Sequence, residues 1–180
     1  FATFEVVEGG NSYLAEEDIP VNNLIVSDGL AASEVYDIPI SQDEDPLDAA
    51  YPVIISMEVV PGEYKIGDKV VLRVISDGEA YELNPVSTFN QLPAIDSNFA
   101  WVDRGFGIYD LEYIVEEGNT DVHAGELLAS IGVVKPSGNQ GDPYDLISNV
   151  DEITIDAHAP VITRLEVPSM EVGVGGTVQV

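Results

Sequence analysis

The sequence predicts an all-β protein. Three observations carry that expectation. Apolar side chains alternate with period two in several short segments, Val and Ile dominate the aliphatic residues, and glycine and proline punctuate the whole chain instead of gathering in one tract.

Taken in order, Val53, Ile55, Met57 and Val59 alternate, which predicts a strand with one buried face. "PGEYKIGD" reads as a turn, and Val70, Leu72 and Val74 as the next strand. "GEAYEL" follows as a short strand, and "PVSTFNQLPAIDSN" as a long crossing loop. "FAWVD" is a strand, and "RGFG" a hairpin in which glycine supplies positive φ. Tyr109, Leu111, Tyr113 and Val115 give the clearest alternation, with Asp110 and Glu112 on the opposite face. "EEGNTDVHAGE" turns the chain into "LLASIGVV", and the polar loop "KPSGNQGDPYD" leads to a last strand, "DEITID". About seven short strands at regular spacing, with no convincing helix, predict an immunoglobulin-like β-sandwich; a jelly roll is the alternative all-β arrangement.

The chain repeats itself. "DAAYPVIISMEV" from Asp48 returns 108 residues later as "DAHAPVITRLEV" from Asp156. At that offset Gly10-Asn11 falls on Gly118-Asn119, Tyr36-Asp37 on Tyr144-Asp145, Asp43-Glu44 on Asp151-Glu152, and Gly67 on Gly175. "VGVGG" at Val172–Gly176 therefore reads as the counterpart of the "YKIGD" turn, not as a phosphate loop. Ala2, Phe4 and Val6 match Leu111, Tyr113 and Val115 in phase with a shift of 109, which places a one-residue slip near Gly9-Gly10. The expected organisation is one complete repeat flanked by two partial repeats. Residues 1–50 are the back part of a first repeat, 51–158 a complete one, and 159–180 the front strands of a next. The chain opens on Phe1 in a strand-like pattern, as expected of a processed product or of part of something longer.

Net charge is −27, from six basic and thirty-three acidic residues, so nucleic acid is a poor partner: phosphate would be repelled. Such acidity keeps a surface solvated and self-repelling. No apolar run is long enough to span a membrane. Cysteine is absent, which excludes disulfides, thiolate nucleophiles and Cys-ligated zinc.

"APVIT", "YKIGDKVVLRV" and "GIYDLEYIVEEGNTDVHAGE" resemble the tandem immunoglobulin-like repeats of large bacterial and archaeal surface proteins, among them adhesin stalks, surface-layer components and fibre or pilus subunits. The similarity covers most of residues 51–158 and parts of both flanks. It implies an extracellular, non-enzymatic spacer or building block.

No catalytic constellation stands out. His123 and His158 read as loop residues at the surface, with no Ser-His-Asp setting. Trp101 reads as a core or edge aromatic, and Lys65, Lys69 and Arg73 as cations balancing nearby acids. A crosslink from Lys69 to an Asn or Asp is conceivable in this fold, but nothing marks the acceptor. The acidic residues near the repeat junction are candidate calcium ligands, since carboxylates from two adjacent domains can share one ion: Asp43, Asp45, Asp48, Asp151, Glu152 and Asp156. The opposing reading is that they keep a linker solvated.

The cut ends direct the functional expectation. Ala2, Phe4 and Val6 at the head, and Val161, Thr163, Leu165 and Val167 at the tail, present strand faces that need cover, so they are the candidate inter-subunit residues. Either the units are linked in tandem, or the tail of one subunit completes the head of the next. Both make the chain a structural subunit of an extracellular filament or cell-surface stalk, with other copies or adjacent repeats as partners. The alternative is a carbohydrate- or ice-binding module of an adhesin, using Trp101, Tyr109 or the loop from Pro85 to Asn98.

Overall fold

The computed structural model describes residues 3–41, 46–166, 169 and 171–178. Almost everything regular in it is β; the one helical element among the described residues is a 3-10 turn at Val150–Glu152. Eleven strands replace the seven expected. They are β1 (Ile54–Val59), β2 (Gly62–Lys65), β3 (Lys69–Ser76), β4 (Glu82–Leu83), β5 (Thr88–Phe89), β6 (Leu92–Pro93), β7 (Phe99–Gly105), β8 (Ile108–Ile114), β9 (Ala129–Ser130), β10 (Val133–Val134) and β11 (Ile153–Asp156). The surplus has a simple origin. "GEAYEL" pairs only over β4, "LLASIGVV" is split into β9 and β10 at Ile131-Gly132, and the crossing loop folds β5 and β6 into a hairpin. Asn90 and Gln91 both take positive φ there, as a tight two-residue hairpin turn requires.

The largest sheet has the order β1-β3-β8-β7 and is antiparallel throughout. Beyond Pro61 the chain leaves this sheet, and β2 pairs in parallel with β11. Two further antiparallel groups, β6-β5-β9 and β10-β4, complete the unit. One core cluster unites them. Met57, Val59, Val70, Leu72, Val74, Tyr109, Leu111, Tyr113 and Val115 from the large sheet meet Phe89, Ile131, Val133, Ile153 and Ile155. The period-two residues named from the sequence are the buried ones in β3 and β8. Every member of this cluster lies between residues 54 and 157.

The opposite face of the large sheet carries the cations. Lys69 reaches Glu112 at 2.7 Å, Arg73 reaches Asp110 at 3.0 Å, and Arg104 bridges Asp110 (2.8 Å) and Glu112 (3.1 Å). Asp110 faces outward, as its phase requires, yet it is buried, because the stems of two arginines cover it. Burial alone would raise its pKa; Arg73 and Arg104 outweigh that and hold it below the ordinary carboxylate range.

Residues 3–50 form no named strand, but isolated antiparallel bridges tie Tyr13 to Leu47, Ile19 to Ile40, Leu24 to Tyr36 and Ser27 to Ala32. These bonds have doubles further along the chain. Tyr13 and Leu47 exchange backbone hydrogen bonds of 2.9 Å, and so do Val122 and Ile155. Leu24 pairs with Tyr36 as Ile131 pairs with Tyr144, and Ser33 donates to Val26 as Gly141 donates to Val133. The offset runs from 107 to 109 residues. It is still 109 where Glu17 donates to Leu14 and Glu126 to His123, so Gly9, at φ +77°, corresponds to Gly118, at φ +85°. The slip expected near Gly9-Gly10 is therefore taken up later, between Glu17 and Leu24, a stretch with Asn23 at positive φ.

Candidate functional site

Asp48, Ala49 and Ala50 carry the chain from the first region into the 51–158 unit, and a loop of that unit grips them. Val134 and Gln140 close a tight turn, with Lys135 donating its amide to Asn139 at 2.9 Å. In such a turn Lys135, Ser137 and Asn139 converge. The Lys135 ammonium donates to Asp48 Oδ1 (3.2 Å) and to the Ala50 carbonyl (2.9 Å). The Ser137 hydroxyl donates to Asp48 Oδ2 (2.7 Å), and the Asn139 amide donates to the carbonyls of Asp48 (3.0 Å) and Ala50 (3.1 Å). Both charged side chains are largely covered, Lys135 at 15% exposure and Asp48 at 24%, so water screens the pair less than a surface ion pair. Burial pushes the Asp48 carboxyl up; the Ser137 hydroxyl, the Ala50 amide and Lys135 more than offset this and leave it below the ordinary range.

The same segment is tied back to the first region. Gly9 donates to the Ala49 carbonyl (3.0 Å), the Ala49 amide donates to Ser12 Oγ (3.0 Å), and the Tyr51 amide donates to Glu8 Oε2 (3.0 Å). The second exit, at Asp156–Ala159, repeats this arrangement. Gly118 donates to the Ala157 carbonyl (2.9 Å), Ala157 to Asp121 Oδ1 (2.7 Å), and Ala159 to Glu117 Oε2 (3.1 Å). Ala50 and His158 also match, each donating its amide to the Oδ1 of the aspartate two residues before it, at 3.2 Å.

The structure does not assemble the candidate calcium ligands. Asp48 is engaged by Lys135 and Ser137, and Glu152 Oε2 accepts from Asn149 Nδ2 at 3.3 Å. Among the described residues no group of three or more acidic or histidine side chains stands close enough to hold an ion, and Asp43 and Asp45 lie outside the described residues. At the ends, Phe4, Val6, Val161, Thr163 and Leu165 are exposed and belong to no strand, contrary to the alternation; Ala2 and Val167 lie outside the described residues. The reason is pairing. The counterparts of the tail residues form β1, which depends on β3, and those of the head residues lie in β8, which depends on β3 and β7. β-Propensity without a neighbouring strand does not make one.

Trp101 is held as an internal aromatic. It stacks on Tyr109 with centroids 4.9 Å apart and donates its indole N–H to the Tyr81 carbonyl at 3.0 Å. Burial, with the Asp77 carboxylate alongside, pushes the Tyr81 hydroxyl up to about 12. His158 Nδ1 lies 3.0 Å from Asp121 Oδ1 in an exposed pair; that contact raises the imidazole pKa and lowers the carboxyl's. Lys69 is taken by Glu112. Sequence reasoning missed the Lys135–Ser137–Asn139 grip. The available signal was one of only six cations standing in a Pro/Gly turn, with alternate polar residues after it. No family model, curated protein or solved structure matches the chain.

Proposed function

We propose that the chain is part of an extracellular filament or cell-surface stalk made of immunoglobulin-like units joined in tandem. Its task is mechanical: to hold successive sandwiches at a fixed spacing and angle. The reading of residues 51–158 as such a unit is supported by the order β1-β3-β8-β7, which is the A-B-E-D order of one sheet of an immunoglobulin sandwich. β4–β5, β9–β10 and β11 then take the places of strands C, F and G. Residues 3–50 are read as the back part of a preceding unit, and residues from Ala159 onward as the front of a following one.

The observation that carries this reading is the recurrence of the exit bonds 108 to 109 residues apart, at Asp48–Tyr51 and again at Asp156–Ala159. A linker gripped on both sides transmits orientation, whereas a free linker transmits only length. The grip on Asp48–Ala50 within one chain favours covalent tandem linkage over strand exchange. The acidic surface then limits lateral clumping of neighbouring fibres.

The test is small-angle X-ray scattering on chains carrying one, two and three copies of residues 51–158 in series. A rod whose maximum dimension grows in equal steps supports the proposal. Growth with the square root of copy number, as for flexibly strung beads, would count against it.

A further inference from the structure

We infer that Asp156–His158 is a second seat for the grip seen at Asp48–Ala50, and that it receives the Lys135–Asn139 turn of a second copy of the 51–158 unit placed after it. The inference rests on the tandem reading above and names the contact that would lock its units. At the first junction both halves of the lock are present: the seat (an aspartate followed by two residues with outward carbonyls) and the donors Lys135, Ser137 and Asn139. At the second junction only the seat is present. Its aspartate bonds to the amide two residues on at the same 3.2 Å, and its backbone is pinned from behind by the same pair of bonds, through Asp121 and Glu117 in place of Ser12 and Glu8.

The charges select the occupant. Asp156 makes no ion pair among the described residues, although Lys65 lies opposite it in the β2–β11 ladder. In a chain of net charge −27, an added carboxylate would be repelled there, and a lysine flanked by two neutral donors would be drawn in. His158, which replaces Ala50, turns its ring toward Asp121, so the imidazole is held by the unit that carries the seat.

The experiment uses a chain in which residues 51–180 are repeated directly after His158. A zero-length carbodiimide joins a lysine to a carboxylate in contact with it, with loss of water, and peptide mass spectrometry locates each bond. Lys135–Asp48 coupling within the first unit is the internal standard. The expected result is a bond from Asp156 to Lys135 of the second copy, in comparable yield. That yield falls when Ser137→Ala and Asn139→Ala are placed together in the second copy, since both leave the coupled groups intact. Coupling of Asp156 to Lys65 alone, or a yield indifferent to the double substitution, would overturn the inference. Near-UV circular dichroism of the same chain separates the two levels: a second copy that does not fold defeats the tandem reading, and a folded second copy without the bond defeats only the lock.

Discussion

Leu24 and Ile131 occupy the same place in the same hydrogen-bonded pair, opposite Tyr36 and Tyr144, yet Leu24 is 45% exposed and Ile131 is fully buried. Phe4 and Tyr113 differ more, at 69% and 0%. Backbone pairing in the two regions is local, set by turns and by partners within about forty residues along the chain. Burial is not local. Ile131 is covered because β3, β5 and β8 arrive from residues 69–114, and the first region has no such segment before it in this chain. A hydrogen-bond pattern can therefore be inherited intact while the energy that normally accompanies it is missing.

The largest expected effect breaks this pairing directly. Ile131→Ala should destabilise the chain by about 2–5 kcal/mol in denaturant unfolding, through lost burial and a cavity. Its counterpart Leu24→Ala should stay within about 0.5 kcal/mol. Gly141 and Ser33 sharpen the comparison. A Cβ at Gly141 would stand 2.2 Å from the Pro52 carbonyl, so Gly141→Ala must push the leading strand away, at about 1–3 kcal/mol; Ser33→Ala should be near neutral by the same assay. Tyr109→Phe removes the hydroxyl that accepts from the buried Tyr81 amide at 2.9 Å, and orphaning that amide should cost about 1–3 kcal/mol.

Smaller effects belong to the junction. Lys135→Ala should cost about 1 kcal/mol at most, seen mainly as faster exchange of the Ala49 and Ala50 amides. The pH dependence follows from Asp48. Its folded pKa lies below its unfolded value, so its contribution is complete above about pH 4 and is lost as pH falls through the folded pKa. Junction exchange should therefore quicken in acid before the core melts. His158 has the opposite sign: its raised pKa gives stabilisation that is present at low pH and lost as pH rises through the folded value. In an NMR titration Asp121→Asn should return His158 toward the ordinary histidine range.

Much of the all-β construction was legible because burial in β3 and β8 follows a strict period of two, and the turn at Gly67 carries a glycine where φ reaches +87°. The repeat was legible for the same reason: positions fixed by backbone geometry keep their residues. What was not legible depended on partners distant in sequence. The alternation in Val161, Thr163 and Leu165 matches that in β1, and only the absence of a paired neighbour separates coil from strand. Asp48 read as one carboxylate in an acidic stretch, because its lysine lies 87 residues away. The extra offset was misplaced because Gly10 and Gly118 align by type, whereas Gly9 and Gly118 align by φ and hydrogen bond.

Native-state amide hydrogen exchange on the intact chain tests the central claim most directly, because it compares the two regions bond for bond. Val122, Ile131, Tyr144 and Ile155 should exchange only through global unfolding of the 51–158 unit, while Tyr13, Leu24, Tyr36 and Leu47 should exchange through local opening at a small fraction of that free energy. Equal protection in the two sets would mean that residues 3–50 share the cooperative core, and the account of a complete unit joined to the back part of another would be wrong.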